Sequence, residues 1–181
     1  MAMNFEELDE RTRQYMEQEF EAELASGHGY RSLDLIGDGP ARFPALMRDA
    51  IRSGTERSLA ASLMVPGFWK TDRQTTRSGA PATEQVNVRQ TAERLALSEF
   101  NTWYVRGLAR RLLDEGVRTC QVYRAGDPKG EPAECVANEG RVLEVQAIYD
   151  GHRARYWPRP GNRTAISIPS HPNCHHTIRR R

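Results

Sequence analysis

The chain reads as an α+β protein: a helical N-terminal part with one long central helix, followed by a small antiparallel-sheet module at the C-terminus. Three observations predict this. Apolar residues recur near helical spacing through the first third of the chain and again from Val86 to Glu115. After Gly116 the pattern shortens to β-branched runs separated by turns. The 181 residues, 28% charged and 38% hydrophobic, suit one ordinary soluble domain, or a core domain with an appendage.

The elements follow in order. Asn4 can cap a first helix, with Glu6 and Glu7 in its positive first turn and Phe5, Leu8, Met16, Phe20 and Leu24 along it. Gly27 and Gly29 stop it near Ser26, and residues 27–42, with "GHGY" and "IGDGPA", read as a loop. A second helix is predicted from Phe43–Pro44 through Leu46, Met47, Ala50, Ile51, Leu59 and Leu63, interrupted at Gly54 and ended by Pro66–Gly67. Residues 70–85 are polar without an apolar anchor and read as a linker or loop between a helical region (1–69) and the remainder (86–181). The clearest helix spans about Val86–Glu115, its apolar face carrying Leu95, Phe100, Trp103, Tyr104, Leu108 and Leu112, with Gly116 at the C-cap position. Strands are predicted at "VRTCQVYRA", "GRVLEV" and "TAISIP", with "GDPKGEP" a turn and "YDGHRARYWPRPGN" a loop.

Composition excludes several classes. No run of apolar residues approaches the roughly eighteen needed to cross a membrane. "MAMNFEELDE" is acidic and lacks the apolar core of a secretory signal. Three cysteines, an odd number, argue against a disulfide framework and for a reducing compartment. Charge is unevenly placed: residues 1–50 carry five basic and eleven acidic side chains, residues 51–181 twenty-one basic and thirteen acidic. Only Lys70 and Lys129 are lysines; the other basic residues are arginines, suited to bidentate bonds with carboxylate or phosphate. Codon bias in a GC-rich genome explains the arginine excess equally well.

The densest chemistry lies in "SHPNCHHTIRRR". His171, Cys174 and His176 are close enough in sequence to approach one ion from a single turn, and Cys135 can join them from the turn before the second strand. Thiolate and imidazole are the ligands of tetrahedral zinc. Such a site would contribute folding free energy to a module with few apolar residues. The competing reading makes Cys135 and Cys174 small buried hydrophobes and the histidines turn residues. A nucleophilic Cys174 with His175 or His176 as base is disfavoured, because neighbours in a strand point to opposite faces. Arg153, Arg155, Tyr156 and Trp157 interleave charge with aromatic surface. They suit core covering, a protein interface or single-stranded nucleic acid. Arg179, Arg180 and Arg181 form a charged end that can contact phosphate or simply be solvated. "GDG" at 37–39 follows no strand and is not a phosphate loop.

From residue 89 onward the chain resembles the C-terminal module of phage minor head proteins, the MuF-like head morphogenesis family. "RLALSEFNTWYVRGLARRLLDEGVRTCQVYRA" is similar to that family's long helix, glycine stop and strand; "PAECVANEGRV" to its cysteine turn; and "IPSHPNCHHTI" to its closing "HPNC" motif. The likeness covers about half the chain. Pro132 stands where the family has the first cysteine of its pair, and His176 where it has the last. A zinc-like site would then use Cys135, Cys174, His176 and either His171 or Cys120.

Membership would imply a non-catalytic component of a tailed-phage virion near the portal vertex, made in the host cytoplasm. It would act in head morphogenesis, or as a head–tail connector or adaptor. Its expected partners are portal and neighbouring head or neck proteins, packaged DNA and other copies of itself in a ring; no membrane is expected. The alternatives are a small zinc-dependent hydrolase or nuclease using the Cys/His cluster with Asp150 or Glu139, and a single-stranded nucleic-acid-binding module.

Overall fold

Three N-terminal helices pack against a long fourth one. The computed structural model describes residues 3–77, 79–127, 132–155 and 164–181, and its architecture is α+β. Helix α1 spans Glu10–Ala25, α2 Gly39–Ser53, α3 Glu56–Leu63 and α4 Val88–Asp114. The first helix starts later than Asn4 predicts. The Asn4 N–H donates to Ala125 O (2.7 Å), so the opening residues run beside the C-terminal sheet. Asp9 caps the helix instead, accepting from the Thr12 N–H at 2.8 Å. The predicted second helix is two, broken at Gly54, where Thr55 and Ser58 form a reciprocal capping box. Helix α4 matches its prediction closely: the Asn87 side chain accepts from Gln90 N–H, and Gly116 takes a left-handed φ of 73° just beyond the end.

The α1–α4 contact depends on a glycine. A Cβ at Gly107 would lie 2.6 Å from Met16 N and 2.7 Å from Met16 Cα, so only hydrogen lets the two backbones approach this closely. Met16 is fully buried there. Gly107→Ala must push α1 outward, and a loss of about 2–3 kcal/mol is expected in chemical denaturation. Gly116→Ala, with nothing near the added carbon, would cost only its left-handed backbone strain, about 1 kcal/mol.

Residues 70–85 are not a featureless linker. Strands β1 (Asp72–Arg77) and β2 (Ala80–Gln85) pair antiparallel from Asp72↔Gln85 to Arg77↔Ala80, with Gly79 at φ 83° in the turn. Their residues are mostly exposed, so backbone hydrogen bonding forms the hairpin without the apolar alternation that would have marked it.

The second sheet has the order β4-β3-β5, all antiparallel: β3 is Thr119–Arg124, β4 Val142–Glu144 and β5 His176–Arg180. Short helices α5 (Ala133–Val136) and α6 (Val145–Asp150) flank β4. The third strand is therefore not "TAISIP", which is turn, bend and irregular backbone, but the closing "HTIRR". Thr177 and Ile178 are fully buried there. One apolar cluster runs from Met16, Phe20, Met47 and Leu63 through Trp103 and Leu108 to Val122, Ile148 and Ile178. The N-terminal helices and the C-terminal sheet thus share a core, with α4 between them.

Candidate metal centre

Two local structures present the cluster. Cys135 sits in the single turn of α5, whose Cys135 and Val136 N–H groups both bond Pro132 O (2.9 and 3.2 Å). Cys174 ends a tight turn in which its N–H bonds His171 O at 3.2 Å. Asn173 holds a left-handed φ of 68° in that turn, a conformation asparagine tolerates. β5 then begins at His176.

The long helix fixes this knuckle. Buried Asn101 donates through Nδ2 to Cys174 O (3.2 Å) and His176 O (2.9 Å). The Asn173 N–H donates to Ser98 Oγ at 2.8 Å. Between Cys174 and His176, the carbonyl of buried His175 accepts from Ala125 N–H at 2.9 Å.

Cys135 is the hub. Its Sγ lies 3.3 Å from Cys174 Sγ and 3.1 Å from His176 Nδ1. One ligand atom each from Cys135, His171 and Cys174 falls within 4.8 Å of the others. This group can hold a metal ion. Ligand–ligand edges in a four-coordinate thiolate–imidazole centre are about 3.3–3.8 Å, close to the spacings here. All three cysteines are free, and 3.3 Å far exceeds a disulfide bond of about 2.05 Å. Cys120 stands apart: its thiol points to Leu143 O at 3.7 Å, and burial pushes it up to about 12.

The imidazoles are prepared to present lone pairs. His171 Nδ1 lies 2.8 Å from Pro172 O, an acceptor, so Nδ1 carries the proton. The buried Nε2 has no hydrogen-bond partner among the described residues and presents the lone pair a metal would take. His176 Nε2 faces Glu139 Oε2 at 3.4 Å, which leaves Nδ1 directed at Cys135. Glu139 is in turn held by Arg124 (2.7 and 3.0 Å), which keeps its carboxyl below the ordinary range. Each histidine thus has the outer partner that ligating imidazoles use. The Cys135 contact also holds the Cys174 thiol well below its usual range, against the opposing effect of burial.

Cys135, His176 and Glu139 also line up as a nucleophile, a base and an orienting carboxylate. Burial decides against that use. Cys135 is 1% exposed and His176 and Cys174 fully buried, so no substrate carbonyl reaches the sulfur in this conformation.

The remaining predicted residues have separate positions. Arg153 is not a surface anchor. It is 4% exposed and makes a bidentate pair with Glu99 (2.9 and 2.6 Å), with Glu23 3.5 Å away and the Tyr30 and Trp103 rings 5.1 and 5.4 Å from its guanidinium. Beside it, burial holds His152 down at about 4, so the ring is neutral where it meets Glu23 at 2.8 Å. Arg155 is half-buried. Tyr156 and Trp157 lie outside the described residues.

The arginine end is a strand rather than a loose tail. Arg179 bonds both Glu6 oxygens (3.0 and 3.1 Å) and Gln121 Oε1. Arg180 pairs with Glu7 and Glu115. Arg181 is exposed. Sequence reasoning missed Asn101 and Arg124. The signal for Asn101 was an amide side chain set on a helix face otherwise made of Leu, Phe, Trp and Tyr.

The chain matches no protein-family model, no curated protein and no solved structure.

Proposed function

We propose that this protein is a structural, non-catalytic part of a tailed-phage particle at the portal vertex, with zinc closing its C-terminal knuckle. The observation that carries the reading is the meeting of Cys135, His171 and Cys174, whose ligand atoms lie within 4.8 Å of one another; His176, with Nδ1 3.1 Å from Cys135 Sγ, is the fourth ligand of this proposal. A zinc site with four protein ligands is closed and structural; catalytic zinc keeps a position open for water or substrate. His171, Cys174 and His176 lie in the closing motif and Cys135 in the cysteine turn that carry the family resemblance. The helix of that resemblance supplies Asn101, which holds the knuckle. This supports reading the module as scaffolding for a ring of copies, an adaptor or a minor head protein, with portal and neck proteins and packaged DNA as neighbours.

Two measurements test it. Elemental analysis of purified protein should give one zinc per chain. Mixed with its cognate portal, the protein should co-sediment; a lasting monomer that never joins the portal would sink the assembly reading. The Cys135–His176–Glu139 alignment keeps one rival, a hydrolase. Cys174→Ser separates the two, because it removes a zinc ligand but no member of that alignment.

Glu139 tests the outer partner. Glu139→Gln is expected to weaken zinc binding about 10–100-fold in competition with a chromophoric chelator. Glu144→Gln, at the end of β4 opposite Thr119, should leave affinity unchanged.

A further inference from the structure

We infer that Cys135 and Cys174 provide a second closure of the same knuckle, a disulfide that replaces the metal when the protein meets a peroxide-class oxidant. The inference rests on the zinc reading for the starting state and on geometry for the product.

The two sulfurs are 3.3 Å apart. Bond formation needs an approach of about 1.2 Å to reach the disulfide distance of about 2.05 Å. The residues are separated by thirty-nine positions, so the bond would tie the α5 turn to the start of β5. That is the same join the metal makes.

The chemistry balances. One sulfur attacks peroxide; the O–O bond breaks, hydroxide leaves, and the sulfur becomes a sulfenic acid, oxidised by two electrons. The second sulfur attacks it; the S–O bond breaks, the S–S bond forms, and hydroxide leaves. Two protons from solvent convert both hydroxides to water, so two zinc-bound thiolates, one hydrogen peroxide and two protons give one disulfide, two waters and a released zinc ion. Loss of both thiolates leaves His171 and His176 as the remaining donors, and the metal departs. Burial selects the oxidant. With Cys135 1% exposed and Cys174 fully buried, a molecule the size of peroxide reaches the pair more readily than a bulky disulfide such as oxidised glutathione.

Cys120 is an internal control. It is buried beside Leu143 O, away from the pair, and burial keeps its thiol protonated.

The experiment treats zinc-loaded full chain with hydrogen peroxide and follows zinc release with a colorimetric chelator and intact mass. The expected result is one zinc released per chain and a mass lower by two hydrogens. Only Cys120 should then be alkylated after denaturation, and dithiothreitol should reverse the change. Cys120→Ser should behave identically, and Cys174→Ser should form no internal bridge. Zinc release with oxygen additions but no lost hydrogens would overturn the inference while leaving the metal reading intact. Protein that carries no zinc yet forms the Cys135–Cys174 bridge would overturn the metal reading and keep the second closure.

Discussion

Chelation of the zinc-bound protein should lower its thermal midpoint by about 10 °C or more, and added zinc should restore it. A ligand held by the folded state alone stabilises it by RT ln(1 + [L]/Kd), about 4 kcal/mol at a thousandfold excess over Kd. For a chain of this size each kcal/mol shifts the midpoint by about 2–4 °C. The effect should reach beyond the last strand. Asn101 holds the carbonyls of both Cys174 and His176, and Tyr104 donates from the same helix to Ile178 O. Ile178 belongs to the cluster that also contains Met16 and Leu63. Opening the knuckle therefore loosens β5 on α4 and exposes a core shared with the N-terminal helices. Calorimetry with and without chelator checks this. An unchanged midpoint in protein proven to contain zinc would mean that the metal is peripheral to the fold.

Local signals were legible in the sequence and distant ones were not. The ends of α4 depend on Asn87 and Gly116, residues within a turn of the helix they delimit, so its span could be predicted. The spacing of His171, Cys174 and His176 is likewise local, and it brought out the cluster with Cys135 as its partner. Only the start of helix α1 differs from the pattern, because the Asn4 N–H is taken by Ala125, 121 residues away; its end at Ala25–Ser26 agrees. Strand β5 looked like a loose basic tail because the carboxylates that hold it, Glu6, Glu7 and Glu115, come from other parts of the chain. The β1–β2 hairpin escaped notice for a different reason. It is formed by backbone pairing between polar, mostly exposed strands, and period-2 patterning marks only sheets with a buried face.

Arg153→Ala is expected to destabilise the protein by about 3–5 kcal/mol, although the sequence places that arginine in a polar, aromatic-rich loop. Two glutamates make the difference. Glu99 of α4 is 2% exposed and receives both Nη groups of Arg153. Glu23 of α1 approaches the same guanidinium at 3.5 Å. Removing the arginine leaves Glu99 as a buried charge with no partner in that pair, the situation in which breaking a buried ion pair costs most. Arg153→Lys should recover only part of the loss, since one ammonium cannot reproduce the bidentate fork. Replacing both members with apolar residues of similar volume, Arg153→Met with Glu99→Leu, should be milder than Arg153→Ala, because the Glu99 charge leaves with its partner and only the less buried Glu23 loses a cation. The arginine also sits at φ 54°, left-handed for a residue with a Cβ, so its conformation costs energy that the pairing offsets. Urea denaturation of the two singles and the double forms the test. Equal losses for Arg153→Ala and the double variant would show that packing in the loop, rather than the charge pair, ties this loop to α1 and α4.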